Sequence, residues 1–195
     1  ITSFIEKPKK ELLPDWTSDT GDEMQGSGRI YLASMGIYIF NRKLLFDMLL
    51  DVHKDATDFG KEIIPDSINT HKVVSYQYDG YWTDIGNIYS FFEANLALTE
   101  DIPLFNLFDN SRAVYTRPRM LPPAKISGTT LEKTLIAEGC IINASRIENS
   151  VTGIRTRIGS GSTIVSTYIM GSDYYETLEE MKNAAQRGLP KMGIG

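Results

Sequence analysis

Two charged side chains near the start of this sequence could bind a phosphorylated ligand. Glu6 and Lys7 stand side by side before Pro8. A carboxylate accepts hydrogen bonds from hydroxyl groups, and a lysine holds a phosphate as a point charge. Because Pro8 fixes the backbone direction after the pair, we expect both charges at a strand end, where open α/β sheets bind ligands. An ion pair on an edge strand, ended by the proline, is the competing structural interpretation.

Asp84 and Ser34 are two further candidate site residues. Asp84 lies in YWTDIG, after an aromatic pair and before a predicted helix. Mg²⁺ prefers one or two carboxylates together with substrate phosphates, which makes Asp84 a candidate metal ligand; a helix cap is the alternative. Ser34, in ASMGIY, offers a hydroxyl to a sugar or fills a small position in the core.

Arg117 and Arg119 flank Pro118 in a proline-rich segment. A residue before proline favours extended backbone, and an extended chain sends side chains 117 and 119 to the same face. Two guanidinium groups side by side repel each other. The sequence therefore predicts either a shared anion or salt bridges to carboxylates such as Asp109 or Glu132.

The composition excludes several classes of protein. The 195 residues are 42% hydrophobic, with 20 Lys+Arg against 25 Asp+Glu and a net charge of −5, which argues against a nucleic-acid surface. One cysteine permits no internal disulfide and suits a reducing compartment. No apolar run approaches the ~20 residues of a membrane span. We therefore expect a cytoplasmic globular protein with no nucleic-acid or membrane partner.

The first half of the chain alternates strand-like and helix-like patterns. SFIEK, YLASMGIYIF and VVSYQYDGYW are rich in β-branched and aromatic residues and are predicted strands. Helices are predicted after Asn41, after Asp58 and over IYSFFEANLALTE, with a long loop over residues 10–28. This alternation predicts an α/β layer structure. The DFGKE stretch does not indicate a protein kinase, because the other kinase motifs are absent, so Asp58 is assigned as a helix N-cap.

After residue 126 the pattern changes to apolar residues at six-residue spacing, which is typical of a parallel β-helix. The spacing joins Ile136 to Ile142, Ile141 to Ile147, and Ile158 to Ile164 and Met170. Eleven residues separate Ile147 from Ile158, which predicts an irregular corner. YETLEEMKNAAQRG then predicts a helix, and KMGIG predicts the start of another hexad.

FIEKP, LASMGIYIF, DFGKEIIP, YWTDIG, FFEANLAL, YTRPRMLPPAK, IMGSDYYET and GIG occur in this order and spacing. The set resembles the ADP-glucose pyrophosphorylases, the glucose-1-phosphate adenylyltransferases. The resemblance implies an α/β fold: the C-terminal part of a Rossmann-like nucleotidyltransferase domain over residues 1–105, an extended connector over 106–125, and the start of a left-handed parallel β-helix over 126–195. It also implies a fragment without the N-terminal nucleotide-binding part and the C-terminal end, inactive alone.

For the intact enzyme, the resemblance implies adenylyl transfer from ATP to glucose 1-phosphate, which gives ADP-glucose and pyrophosphate for glycogen or starch synthesis. Carried over by position, Lys7 would hold the sugar phosphate, and Glu6 and Ser34 would bind glucose hydroxyls. Asp84 would be the catalytic residue, as a carboxylate ligand of the cofactor Mg²⁺.

The resemblance further implies that Arg117 and Arg119 bind an anionic allosteric effector and that the intact enzyme is a homotetramer. Two alternatives stay open: a non-catalytic regulatory paralogue, and a transferase of another nucleotide to a sugar 1-phosphate. A β-helix acyltransferase would need a histidine on a coil corner, and the chain has none after His71.

Overall fold

The computed structural model describes residues 1–188 and contains two compact units, Ile1–Gly80 and Tyr81–Gly195. The hexad predicted at KMGIG lies outside the described residues. Within the described part of the chain, no helix is long and apolar enough to cross a membrane.

Short helical segments joined by extended chain build the first unit. They are a 3-10 helix (Lys10–Trp16), α1 (Asp22–Gly26), α2 (Arg42–Asp47), two π-helical turns (Met48–Val52 and Phe59–Ile63) and α3 (Ile64–Thr70). Both predicted N-caps are confirmed. The Asn41 carboxamide oxygen accepts the Lys43 N–H at 3.0 Å, and the Asp58 carboxylate accepts the Gly60 N–H at 2.9 Å. Such caps satisfy backbone donors that have no partner within the helix.

The buried side chains of the first unit come from these helices. Met48, Ile63 and Ile64 are almost fully buried, and the buried Ser67 donates its hydroxyl to the Ile63 carbonyl within α3. The helical turns from residue 42 to 70 therefore form the small core of this unit.

The loop predicted over residues 10–28 is wrong, because the segment contains the 3-10 helix and α1. Asp22 and Glu23 lie in the first turn of α1, where acidic side chains interact favourably with the helix dipole. Gly28, with a φ of 78°, lies just beyond the end of this helix. The glycines and acidic residues that suggested a loop therefore begin and end a short helix.

The three strands predicted in the first half are also wrong, because no residue described before Lys125 lies in a β-strand. β-Branched and aromatic residues favour extended backbone, but a strand also needs a hydrogen-bonded neighbour. The Ile1 amino group donates to the Val73 carbonyl at 2.8 Å, which joins the first and last of these segments at one point. Ile39 is 98% exposed and Tyr76 88% exposed, so these segments leave large apolar side chains uncovered.

Stacked parallel strands dominate the second unit. Its elements are α4 (Ile88–Leu96), 3-10 turns (Ala97–Thr99 and Asn110–Arg112), β1 (Lys125–Ile126), β2 (Thr130–Ile136), β3 (Ile141–Ile142), β4 (Arg146–Thr152), β5 (Arg157–Ile158), β6 (Thr163–Val165), β7 (Tyr168–Ile169) and α5 (Leu178–Gln186). One sheet has the order β1-β3-β5 and the other β2-β4-β6, with β7 also paired to β4. All these pairs are parallel, which confirms the predicted β-helix.

Inward side chains align in three columns that repeat every sixteen or seventeen residues, one coil of the β-helix. The columns contain Ile126, Ile142 and Ile158; Leu131, Ile147 and Ile164; and Ile136, Thr152 and Ile169. The members in the middle coil are fully buried, whereas Ile126 and Leu131 in the first coil are partly exposed. The inward positions are five or six residues apart, mostly in the order five, five and six, so a strict six-residue period is only approximate.

Three details of the predicted hexad register are corrected by these columns. Ile141, which the spacing joins to Ile147, is not the inward residue, because its neighbour Ile142 occupies the buried column. The eleven residues between Ile147 and Ile158 do not make an irregular corner, because Thr152 occupies the inward position between them. Met170 is 79% exposed, and its neighbour Ile169 packs against the core instead. A polar residue at an inward position and an apolar residue at an outward one concealed the true register.

A line of left-handed residues connects the β-helix to the end of α4. Lys133, Asn149 and Ser166 have φ angles of 45°, 44° and 45° and occupy equivalent places in successive coils. The Asn149 carboxamide donates to the Ser166 hydroxyl at 3.0 Å and accepts from the Thr99 hydroxyl at 3.1 Å. Lys133 also pairs with Glu100 at 2.9 Å. These contacts hold the turn after α4 against one edge of the β-helix.

The helix predicted after Met170 is confirmed as α5. Its start is a capping box: Glu180 donates its backbone N–H to the Thr177 hydroxyl, and the Glu180 carboxylate accepts the Thr177 N–H. These reciprocal bonds satisfy free donors at the first turn.

Thr152 should destabilise the β-helix, because its buried hydroxyl has no hydrogen-bond partner in the described structure. Thr152→Val removes that group at nearly constant shape and should raise the free energy of unfolding by about 1 kcal/mol. Thr156→Val is the matched control, because the Thr156 hydroxyl donates to the Gly153 carbonyl at 2.8 Å. That variant should lose about 1 kcal/mol in urea unfolding followed by circular dichroism. An equal loss in both variants would contradict this assignment.

Candidate functional site

The Glu6 carboxylate lies directly against the backbone of Gly60 in the first unit. A Cβ built on Gly60 would stand 2.7 Å from one Glu6 oxygen and 3.0 Å from its carboxyl carbon. Only glycine therefore allows this approach without a shift of the carboxylate. Gly60 is itself buried, in the π-helical turn Phe59–Ile63 that follows Asp58. The contact joins the predicted Glu6 site to the DFGKE motif.

Lys7 adopts an unusual backbone conformation beside this contact. Its φ of 48° lies in the left-handed region, where a side chain costs roughly 1–2 kcal/mol. The Lys7 ammonium lies 3.7 Å from a Glu6 oxygen; its side chain is 86% exposed, against 24% for Glu6. The turn therefore directs Glu6 inward and leaves the lysine charge available to an anion.

The same corner of the unit carries a second acid–base pair. Lys61 lies 3.6 Å from Asp58, and its backbone N–H donates to the Asp58 carboxylate at 3.0 Å. This backbone hydrogen bond, the largest contribution, lowers the pKa of Asp58 below its usual value. Asp58 is therefore ionised at neutral pH and holds the start of the turn that presents Gly60.

Ser34 reaches the same corner through aromatic side chains. Its hydroxyl and the Tyr38 hydroxyl are 3.1 Å apart, and the Tyr38 ring stacks on Phe59 at 6.3 Å with a 16° angle between the planes. Phe40 packs against the Phe59 ring at 5.9 Å. Phe59 directly precedes Gly60, so Ser34 and Glu6 are linked through adjacent residues of one turn.

This arrangement places three of the predicted site residues around residues 59 and 60. It offers a carboxylate from Glu6, an exposed ammonium from Lys7 and the hydroxyl of Ser34 beside aromatic rings. A carboxylate and hydroxyls suit a polyhydroxylated ligand, and the ammonium suits its anionic group. A sugar phosphate combines both features.

Two contributing residues, Tyr38 and Gly60, were not predicted. Tyr38 alternates with Phe40 in the extended segment, and this period-two aromatic pattern could have indicated a shared face. Gly60 stands within DFGKE, where a glycine inside a helical pattern indicates a close backbone approach. The sequence alone does not tell which side chain approaches it.

Asp84 belongs to the second unit and is exposed. One of its carboxylate oxygens accepts the Gly86 N–H at 2.9 Å, whereas the helix that follows is capped by Asn87. Within residues 1–188, no three His, Cys, Asp or Glu side chains are grouped to hold a metal ion. The role of Asp84 as a Mg²⁺ ligand stays a prediction, and such a site would need further carboxylates and substrate phosphates.

Arg117 and Arg119 are exposed in the irregular chain before β1. Neither carboxylate named as a possible partner pairs with them: Glu132 pairs with Arg146 at 3.3 Å, and Asp109 accepts from Ser111. In the described residues the two guanidinium groups form no ion pair, so the salt bridges named as the alternative are not formed.

Family models match both parts of the chain. A nucleotidyl transferase model matches residues 1–101, and a model of the GLGC left-handed parallel beta-helix domain matches residues 119–195. The chain belongs to the nucleotidyl transferase family. This confirms the predicted fold class of a nucleotidyltransferase domain followed by a left-handed β-helix, although the domain limits of 105 and 126 stay predictions.

A curated relative agrees with the family models along the whole chain. The chain is 41% identical over 201 residues to the glucose-1-phosphate adenylyltransferase small subunit, chloroplastic/amyloplastic, of Triticum aestivum. The alignment covers 100% of this chain and 42% of the relative, so the chain spans about two fifths of the length of that protein.

Gly60→Ala should destabilise the first unit, because the new methyl group would displace the Glu6 carboxylate. Because the displaced carboxylate ends a flexible side chain and alanine favours helical backbone over glycine, we expect a net loss of no more than about 1 kcal/mol in the free energy of unfolding, measured in urea. In Gly26→Ala, the control, the methyl group meets no atom within 4 Å and should be neutral or slightly stabilising in α1.

A double-mutant cycle identifies the cause of the Gly60 effect. Combining Gly60→Ala with Glu6→Ala should cost less than the sum of the single changes, because the clashing carboxylate is then absent. Additive losses would show that Glu6 does not constrain position 60.

Proposed function

We propose that this chain supplies the sugar-phosphate-binding part of a glucose-1-phosphate adenylyltransferase. The observation that carries the proposal is the Glu6 carboxylate held against Gly60, beside the Ser34–Tyr38–Phe59 contacts. The chain that contains this arrangement is 41% identical over its whole length to a subunit of that name.

Each group in the first unit has a role in binding glucose 1-phosphate. The Glu6 carboxylate accepts hydrogen bonds from glucose hydroxyls, and the Ser34 hydroxyl binds another of them. The exposed Lys7 ammonium binds the sugar phosphate. The Lys7 ammonium lies 3.7 Å from Glu6 and is largely exposed, so one ligand can contact both charges, with its phosphate on Lys7 and its hydroxyls on Glu6.

The proposed reaction is an in-line transfer between phosphates. An oxygen of the sugar phosphate attacks the α-phosphorus of ATP, and the bond to pyrophosphate breaks as ADP-glucose forms. This chemistry depends mainly on positioning and on neutralising charge. Lys7 supplies part of that neutralisation in the ground state. Asp84 would hold Mg²⁺, which stabilises phosphate charge as a Lewis acid when bound.

A segment exchange tests this function. Residues 1–195 replace the matching segment of the Triticum aestivum small subunit, and ADP-glucose synthesis is measured with the unaltered subunit as reference. We expect activity with ATP and glucose 1-phosphate. A folded, assembled exchange protein without activity would favour the regulatory paralogue.

Regulation, assembly and location are also part of the proposal. An anionic effector would bind Arg117 and Arg119, and the intact enzyme would be a homotetramer in the cytoplasm. The relative is named a small subunit and is chloroplastic/amyloplastic, so sedimentation of the exchange protein alone and with other subunits is the relevant test of assembly.

Lys7→Ala in the exchange protein should raise the KM for glucose 1-phosphate and leave the KM for ATP nearly unchanged. Loss of one charge-assisted hydrogen bond predicts an increase of roughly 10- to 150-fold. The neighbouring Lys9→Ala is the control, and its KM values should stay within about twofold of the parent. Parallel increases in both variants would argue against a specific phosphate contact.

Asp84→Asn should mainly lower kcat and raise the Mg²⁺ concentration needed for half-maximal activity. The amide keeps an oxygen for the Gly86 N–H but removes the charge that attracts the cation. Steady-state rates at several Mg²⁺ concentrations separate this from a folding defect. An unchanged Mg²⁺ requirement would eliminate Asp84 as a ligand.

Replacing Arg117 and Arg119 together by alanine should weaken the response to an anionic effector several-fold, while activity without effector survives. The cause is the loss of two guanidinium groups that have no carboxylate partner in the described residues. Titrations with inorganic phosphate measure the response. Arg112→Ala is the control, because its charge lies in the preceding 3-10 turn.

A further inference from the structure

A cavity of about 390 Å³ opens on the β-helix of the second unit. It combines two basic side chains with a mainly apolar wall. The lining residues are Pro122, Pro123, Lys125, Gly139, Cys140, Ile141, Arg157 and Tyr175. The proposed sugar-phosphate residues and Arg117 and Arg119 are not among them.

The two basic residues of this cavity are aligned by the β-helix register. Lys125, Ile141 and Arg157 occupy the same position in β1, β3 and β5, next to the inward column that includes Ile142. Because side chains alternate along a strand, these three point outward. Adjacent strands lie about 4.8 Å apart, which places the Lys125 and Arg157 backbones about 10 Å apart across Ile141. Both side chains are long enough to reach one group placed over Ile141.

These two cations lack the carboxylate partners found on the other sheet. Arg146, on β4, contacts Glu132 at 3.3 Å and Glu148 at 2.7 Å. None of the ion pairs in residues 1–188 includes Lys125 or Arg157. An anion between them would offset their mutual repulsion.

Tyr175 forms a fixed apolar wall beside the cations. Its hydroxyl donates to the Gly139 carbonyl at 2.8 Å, and the Arg155 guanidinium lies 6.0 Å from its ring centre. The Cys140 thiol is buried in the core and donates to the Gly153 carbonyl at 3.1 Å, so Cys140 adds no charge to the wall of the cavity. The charged group of an organic anion could therefore contact the two cations while its apolar part contacts this wall.

We propose that this cavity binds a small organic anion. Its charged group lies between Lys125 and Arg157, and its apolar part packs on Ile141, Pro122 and the Tyr175 ring. The volume is at the lower end of the range for small-molecule sites and accommodates a ligand with one ring or a short chain and one anionic group. This site goes beyond the proposed nucleotidyl transfer and does not depend on it.

Three probes separate the two parts of the ligand: phenyl phosphate, inorganic phosphate and phenol. Each is titrated into the full ¹⁵N-labelled 195-residue chain, and the amide signals of Gly139, Ile141 and Arg157 are followed by NMR. Phenyl phosphate should give saturable shifts at these amides with an affinity at least about tenfold above that of either other probe. Equal affinity for phenyl phosphate and inorganic phosphate would overturn the apolar part of the proposal.

A charge-matched pair of double variants tests the cations. Lys125→Gln with Arg157→Gln should weaken phenyl phosphate binding at least about tenfold. Lys182→Gln with Arg187→Gln removes the same net charge from α5 and its cap and should leave the affinity unchanged. Equal weakening in both would show non-specific attraction and overturn the site, as would retained binding in the first variant. If the first variant fails to fold, Tyr175→Ala replaces it, with the same tenfold loss expected.

Discussion

The candidate site depends on one close approach, that of the Glu6 carboxylate to the backbone of Gly60. A side chain at position 60 would push the Glu6 carboxylate out of its contact with the turn that Asp58 begins. The same turn carries Phe59, which stacks with Tyr38 and so fixes the neighbourhood of Ser34. Because residue 60 has no side chain, Glu6, the turn at Phe59 and the Ser34–Tyr38 pair lie close together, although they come from three distant stretches of the sequence.

The second unit is organised by a different constraint, the vertical alignment of side chains in successive coils. Parallel pairing every sixteen or seventeen residues buries Ile142, Ile147 and Ile158 in the middle of the stack. The same alignment must repeat outward positions, and it therefore brings Lys125 and Arg157 to either side of Ile141. The strand register, which is set by apolar packing, thus also fixes the positions of these two basic residues on the surface.

Features with a local cause were predictable from the sequence. The caps at Asn41 and Asp58 need only their own side chains and the next turn of backbone. The β-helix is recognisable because apolar residues recur at a nearly constant spacing. Features that depend on distant partners were not. The extended stretches have no neighbours to make them strands, and a pattern of apolar residues alone does not reveal that the polar Thr152 points inward. The contact between Glu6 and Gly60 joins residues more than fifty positions apart, which no pattern in one sequence reveals.

Binding of glucose 1-phosphate to the first unit tests the account most directly. The ¹⁵N-labelled chain is titrated with glucose 1-phosphate and, separately, with inorganic phosphate. The amide signals of Gly60 and of Gly36, whose N–H donates to the Ser34 hydroxyl at 3.2 Å, are followed beside those of the β-helix. The account predicts saturable shifts at Gly36 and Gly60 with glucose 1-phosphate and much smaller ones with inorganic phosphate. A folded chain in which those two signals do not move, or move equally with both ligands, would contradict it.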